Sequence, residues 1–456
     1  MSSPQDAPKN FGQILRLIGP GLILTASIVG SGEVIATPKV AAEAGFSLLW
    51  LIIIGCIIKV FVQVELGRIA VAKGMSSLAA MNTMPGPRFS ITHRWNGTNH
   101  NVASASWLVW LWLFMYIGTI FQVAGIVGAV TEVLKAAGLK MDGNLLAILI
   151  GGGTAIMLVI GRYKMVERVS IAMVAGFTFC TVIALGALQW TDYAIQWGNI
   201  VDGFKFRMPS NMTTALAAFG IIGVGASELI FYPYWVLEKG YAVNVGKNDE
   251  SEGWYQRARG WMKVMQADAW VSMVIYTLAT AAFFLLGAAV LHAKGKTVDD
   301  ETSTILVLSE MYQGSLGPWS LIVFLVGAFF ALFSTTFVAT ASNARLFADA
   351  LEIFQLKTYA DQEARQRMIK VGCVLLPAIS VLCFILFGKP VTLVVIGGVA
   401  QALMLPFLAI AALYFRHQQT DAPLRPGNAW TFFLWLASAG MILIGGYSIL
   451  KQLGIM

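Results

Sequence analysis

Charge is scarce in this chain. Only 12% of its 456 residues are Asp, Glu, Lys or Arg, against about 25% in a soluble domain. Side chains that favour soft metals are few as well, with four histidines and four cysteines. Cys56, Cys180, Cys373 and Cys383 all fall in apolar segments without Cys-x-x-Cys spacing, so they read as packing residues and not as a disulfide framework. No P-loop, His-x-x-x-His pair or nucleophile–base arrangement is present, and no enzyme is expected. No cleavable signal peptide is evident, because the extreme N-terminus is polar and the apolar run after Ile18 lacks a small-residue cleavage site.

Apolar sequence is abundant, at 57% of the chain. Runs of about 20 apolar residues mark spanning helices. Eleven are expected, at 18–45, 47–70, 105–131, 144–161, 167–190, 213–240, 267–291, 317–345, 368–387, 390–415 and 430–451. The expected fold class is therefore all-α integral membrane, with eleven transmembrane helices. The net charge of +7 sits in loops, so it speaks to orientation and not to a nucleic-acid partner. Placing the N-terminus in the cytoplasm and the C-terminus outside puts most Lys and Arg on the cytoplasmic face, among them Arg68, Lys73, Arg88, Arg94, Arg257, Arg259, Lys263, Arg365 and Arg367. The expected location is the plasma (inner) membrane. The polar, aromatic segment 244–263, with Trp254, Tyr255 and Trp261, reads as interfacial. His93 and His100, seven residues apart in a polar loop, are weak evidence for a metal.

Two spans are interrupted in the same way. One reads Gly30-Ser31-Gly32-Glu33-Val34-Ile35-Ala36-Thr37-Pro38, the other Gly225-Ala226-Ser227-Glu228-Leu229-Ile230-Phe231-Tyr232-Pro233. Glycine and proline break a spanning helix, and a carboxylate inside one is costly unless it is used. Matching interruptions in two halves of a chain point to the substrate site of an inverted-repeat transporter. The expected organisation is a cytoplasmic N-terminus (1–17), a first five-helix repeat (18–190), a second (191–415), and a loop with an eleventh helix (416–456).

The chemistry of such a junction favours a cation. Unwound carbonyls must be satisfied by neighbours, water or an ion, and Glu33 and Glu228 add carboxylate oxygens beside them. With Ser31, Ser227 and Thr37 also near and no Met, Cys or His in the motifs, the donors are oxygens, which suit Mg²⁺, Ca²⁺ or Mn²⁺ over softer metals. The competing reading pairs one or both glutamates with Lys39 or Lys59 as a structural bond. The hydroxyls Ser334, Thr335, Thr336, Thr340 and Ser342 read as helix–helix contacts in preference to a pathway.

Four further stretches carry a family resemblance: Gly19-Pro20-Gly21-Leu22-Ile23 with Ala41 to Trp50, Arg162-Tyr163-Lys164-Met165-Val166-Glu167, Gly220-Ile221-Ile222-Gly223, and Gln401-Ala402-Leu403-Met404-Leu405-Pro406-Phe407. In order along the chain they resemble the Nramp divalent-metal transporters. That resemblance implies metal binding at both breaks and at Gln401. The departures are specific. Where the family has Asp-Pro-Gly-Asn, this chain has Gly30, Ser31, Gly32 and Glu33. Where it has Met-Pro-His-Asn, this chain has Ser227, Glu228, Leu229 and Ile230. Where its third helix carries acids for a proton path, this chain has Tyr116, Gln122 and Gly125, with no carboxylate before Glu132. The pattern resembles the Nramp-related magnesium transporters, a branch without obvious proton coupling, although the first Asp is missing here. Gly30-Ser31-Gly32 is also similar to the Gly-Ser-Gly of amino acid–polyamine transporters.

The reading preferred is alternating-access transport of a hard divalent cation, Mg²⁺ or Mn²⁺, without the family's usual proton coupling. Its expected substrate-binding residues are Gly30, Ser31, Gly32, Glu33, Gly225, Ala226, Ser227, Glu228 and Gln401, with Glu33 and Glu228 as metal ligands. No cofactor is expected, since the cation is substrate. The partners are that cation and the lipid bilayer, and a monomer is compatible with the sequence. The alternatives are an organic cation or amino acid carried on the same fold, or a scaffold without transport.

Overall fold

The computed structural model describes residues 4–90, 92–95, 98–101, 104–161, 163–209, 211–299, 304–317 and 319–452. It is helical almost throughout. In a bilayer a spanning segment must satisfy its own backbone groups, and the helix does so within one chain segment. Nine stretches among the described residues are long and apolar enough to cross: Pro20–Lys73, Trp107–Ala136, Gly143–Ile160, Met212–Lys239, Glu252–His292, Ser320–Ile353, Gln362–Phe387, Pro390–Gln419 and Asn428–Tyr447.

The first of these, 54 residues long, holds two of the expected spans. Gly45, at φ +58°, ends the helix Thr37–Ala44, and a 3₁₀ turn Gly45–Leu48 leads into the helix Leu49–Lys73. The expected span 167–190 falls on Tyr163–Ala187, whose described apolar part runs into Ala175–Trp190. Arg162 and several neighbouring side chains lie outside the described residues.

One expectation needs correction, and one falls on side chains outside the described residues. The segment 244–263 is no separate interfacial element: from Glu252 onward it is the first part of the 35-residue helix Glu252–Leu286. The Ser251 hydroxyl accepts from the Trp254 N–H and caps that helix. Trp254 and Trp261 are buried, and the Trp261 indole donates to the Gln5 carbonyl at 2.8 Å. The loop around His93 and His100 forms a hairpin that sets the two histidines opposite each other in register. Their side chains lie outside the described residues, and among the described residues no group of His, Cys, Asp or Glu could hold a metal.

The two broken spans sit at the centre. Every residue from Ala226 to Val236 is buried. The peripheral helices Gly143–Ile160 and Gln362–Phe387 instead turn Ile148, Ile156, Leu382 and Leu386 outward, as lipid-facing surfaces do. Around the centre pack the helices Leu49–Lys73, Glu252–Leu286, Ser320–Ile353 and Pro390–Tyr414. The last comes into backbone contact with the second broken span. A Cβ on Gly220 would lie 2.1 Å from the Gly398 carbonyl, and one on Gly398 would lie 2.6 Å from the Ala217 carbonyl. Small residues permit that approach, and it brings Gln401 to the second break.

Candidate functional site

In the first broken span the helix Pro20–Ile28 stops at Val29 and Gly30, whose dihedrals leave the helical region. A π-helical stretch Ser31–Ala36 follows, then the helix Thr37–Ala44. The start is anchored. Both oxygens of Asp268, on the helix Glu252–Leu286, accept from backbone N–H groups of Gly19 and Gly21, at 2.8 and 2.6 Å. At the break, the Ser334 hydroxyl donates to the Ala26 carbonyl at 3.1 Å, and Thr335 Oγ1 lies 3.1 Å from the Ser27 carbonyl. These hydroxyls, with Ser342 accepting from the Trp235 indole, make helix–helix contacts as expected. Gly30 is required sterically, since a Cβ there would collide with Thr335 Oγ1.

In the second broken span the helix Met212–Ile221 gives way at Ile222, and Gly225 caps the helix Ala226–Lys239. Gly223 has φ +60° and presses against Cys56. Gly225 stands where any side chain would strike the site, because its Cβ would lie 2.5 Å from Glu228 Oε2 and 2.6 Å from Gln401 Oε1. The two spans interlock: a Cβ on Gly32 would lie 3.1 Å from the Ile221 carbonyl, and the Ser27 hydroxyl donates across to Glu228 Oε1 at 2.9 Å.

Both glutamates are buried, Glu33 fully and Glu228 at 7% exposure. Glu33 Oε1 accepts from the Thr280 hydroxyl at 2.6 Å, and its Oε2 has no hydrogen-bond partner among the described residues. Glu228 Oε2 lies 2.8 Å from the Ser227 hydroxyl, which also lies 2.8 Å from Gln401 Oε1. One hydroxyl hydrogen therefore serves two acceptors. Gln401 Oε1 takes the Ser227 backbone N–H at 2.9 Å, and its Nε2 donates to Gln122 Oε1 at 2.6 Å. A buried carboxylate oxygen without a partner among the described residues is chemically able to receive a cation.

The structure thus brings Glu33, Ser227, Glu228 and Gln401 to one junction, with Gly30, Gly32 and Gly225 making room and Ala226 opening the helix that carries Glu228. The side chain of Ser31 lies outside the described residues. The competing reading, in which Glu33 or Glu228 pairs with Lys39 or Lys59, has no such ion pair among the described residues. Lys39 pairs with Glu43 at 3.1 Å and donates to the Val298 carbonyl. Lys59 donates to the Phe219 and Ile222 carbonyls. Four contacts were not expected from the sequence, although Gln122 itself was singled out there. Ser27, Thr280 and the Gln122 amide carry no local signal, being single polar residues in apolar helices. Cys56 brings a thiol close to the second break, where only oxygen donors were expected.

A cavity of about 1380 Å³ lies at the far end of the helix that carries Glu228. It is lined in part by Lys73, Tyr234, Glu238, Asp349 and Arg365. Two ion pairs border it, Arg345–Glu238 at 2.5 Å and Arg365–Asp349 at 2.6 Å.

Comparison with known proteins places the chain among transporters of similar fold. A family model described as Nramp, natural resistance-associated macrophage protein-like, matches residues 21–451. A crystal structure of the Eremococcus coleocola manganese transporter, in complex with an aromatic bis-isothiourea substituted compound, aligns with TM-score 0.69 at 13% identity, over 98% of this chain and 89% of that one. Mhp1, a nucleobase-cation-symport-1 family transporter in a closed conformation with bromovinylhydantoin bound, aligns with TM-score 0.57 at 15% identity, over 99% and 94%. A Na⁺-coupled sialic acid symporter in a substrate-bound outward-open state aligns with TM-score 0.56 at 13% identity, over 95% and 89%. The chain matches none of the curated proteins in sequence.

Proposed function

The chain belongs to the Nramp family, and from that membership we propose that it transports a hard divalent cation, Mg²⁺ or Mn²⁺, bound where its two broken helices meet. The family is one of transporters, so the metal is substrate and not cofactor. The observation that carries the reading is Glu33: a fully buried carboxylate whose Oε2 has no partner among the described residues. Leaving a buried polar atom unsatisfied costs about 1–3 kcal/mol, more for a charge, and a bound cation offsets that cost. Glu228, Ser227, Thr280 and Gln401 supply further oxygens.

Several features support the finer reading. The oxygen-dominated donor set favours hard ions, and Mg²⁺ uses one or two carboxylates while keeping several waters. Gln122 stands where the family's third helix would supply an acid, and its amide holds Gln401 without a titrating group. We therefore assign uncoupled or weakly coupled transport. The two spans share a local plan, a short helix, a glycine cap, and a glutamate three residues later. That shared plan supports eleven spans arranged as two inverted five-helix repeats, with the N-terminus cytoplasmic in a plasma (inner) membrane. In that orientation the cavity beside Glu238 opens to the cytoplasm, as alternating access requires of an inward-facing state.

Uptake of Mg²⁺ and Mn²⁺ into liposomes tests the assignment. Glu33→Gln and Glu228→Gln should each cut divalent uptake by tenfold or more, and unchanged uptake in both removes the glutamates from the site. Polyamines and amino acids assayed in parallel test the competing substrate class, which predicts that they, and not divalent ions, stabilise the protein thermally.

A further inference from the structure

Lys59 is fully buried in the helix Leu49–Lys73, and no carboxylate within ion-pair distance of it occurs among the described residues. Its ammonium instead donates to the Phe219 and Ile222 carbonyls, and its Nζ lies 4.6 Å from the centre of the Phe219 ring. Those carbonyls sit at the C-terminal end of the half-helix Met212–Ile221, where the chain unwinds. Such an end carries partial negative charge from the helix dipole and from carbonyls without intrahelical donors. In transporters built on broken helices, unwound carbonyls and half-helix C-terminal ends are where a coupling ion such as Na⁺ is coordinated.

The other break shows that a charge is not needed to cap freed carbonyls. At the end of Pro20–Ile28 the neutral hydroxyls of Ser334 and Thr335 meet the carbonyls of Ala26 and Ser27. A neutral donor at position 59 would do the same without the cost of burying an ammonium. What lysine adds is a fixed positive charge, held on a four-carbon stem, at the point where an inorganic cation would otherwise bind.

We propose that Lys59 is a tethered substitute for a monovalent cation: its ammonium permanently fills the carbonyl site of the second break, so the protein needs no Na⁺ or K⁺ to complete its binding site. The fixed charge also offsets one of the two glutamates when both are ionised, leaving the unoccupied junction with a net charge of −1.

The test uses the full-length protein in detergent; its thermal measurements contain no divalent ion, which keeps them independent of the substrate assignment, and divalent binding is measured separately for Lys59→Gln. Thermal midpoints of the wild type, Lys59→Ala and Lys59→Gln are measured while Na⁺ or K⁺ replaces choline at constant ionic strength. The wild type should be indifferent to the exchange. Lys59→Ala should unfold at lower temperature and be stabilised saturably by Na⁺ or K⁺. Lys59→Gln keeps the carbonyls bonded but lacks the charge, so its divalent binding should become dependent on the monovalent ion. Two results overturn the proposal: a Lys59→Ala protein with no monovalent-ion response, or a Lys59→Gln protein matching the wild type in stability and in divalent binding without Na⁺ or K⁺. If Lys59→Ala does not fold in any of these salts, the Lys59→Gln measurement decides alone.

Discussion

Ser227 and Gln401 are joined twice, through the Ser227 backbone N–H and through its hydroxyl, both directed at Gln401 Oε1 at 2.9 and 2.8 Å. A backbone N–H can only donate, so Gln401 must turn its carbonyl to Ser227 and its NH₂ to Gln122. The Gln122 carbonyl receives it at 2.6 Å. One obligatory donor therefore sets the orientation of two side-chain amides, and with them the side of Gln401 that faces Glu228.

Gln122→Leu should consequently damage the site from a distance. It strands the Gln401 NH₂ in a buried place, which costs about 1–3 kcal/mol. A lowered thermal midpoint and weakened divalent uptake are expected. Gln122→Glu keeps an acceptor at the same place and should retain more uptake than the leucine variant. Equal losses in the two variants would show that the acceptor is not what matters.

Gly225→Ala tests the room left for the site. The added methyl would lie 2.5 Å from Glu228 Oε2 and 2.6 Å from Gln401 Oε1, so one or both must move. Overpacking of this kind costs about 1–3 kcal/mol in stability. The loss of uptake should exceed what that destabilisation explains, because the atoms displaced are the candidate ligands. Uptake at the wild-type rate in a folded Gly225→Ala protein would mean that neither oxygen touches the substrate.

Cys56 is the soft atom near the break. Cys56→Ser replaces its sulfur with oxygen at nearly the same volume. If the substrate is held by oxygens, the ratio of Mn²⁺ to Mg²⁺ uptake should stay the same within error. A fall in Mn²⁺ transport with Mg²⁺ unaffected would make the thiol a ligand.

Asp268 is expected to matter for stability alone. Its two carboxylate oxygens hold the Gly19 and Gly21 N–H groups, and Oδ2 also receives the Tyr232 hydroxyl at 3.0 Å. Asp268→Asn offers only one acceptor oxygen and should strand a donor at the start of Pro20–Ile28, costing about 1–3 kcal/mol. The thermal midpoint should fall while the apparent affinity for the divalent ion holds.

The residues that break helices were legible in the sequence because their signals are local. Gly30 and Gly225 interrupt apolar runs, and Glu33 and Glu228 stand out in them. The prolines misled, since Pro38 lies in the first turn of Thr37–Ala44 and Pro233 lies inside the unbroken helix Ala226–Lys239. The partners of the glutamates were not legible. Thr280 and Ser27 look like any hydroxyl in an apolar helix, and only the fold brings them to a carboxylate. Lys59 stood out as a charge, but the competing reading of it, a bond to a glutamate, missed that backbone carbonyls at a break are strong acceptors as well. The start of Glu252–Leu286 was misread for a different reason. Polar residues such as Arg257 and Lys263 do not stop a helix where it leaves the lipid, so composition marked the membrane boundary and not the helix end.

The central claim is that a divalent cation sits against Glu33 at the junction of the two breaks. Anomalous scattering from crystals soaked in Mn²⁺ measures this directly. The account predicts a peak within bonding distance of Glu33 Oε2, at the about 2–2.5 Å typical of hard cations with oxygen ligands, and loss of that peak in Glu33→Gln. A well-ordered site with no peak there, or a Mn²⁺ ion bound elsewhere in the membrane region and away from Glu33 Oε2, would contradict it.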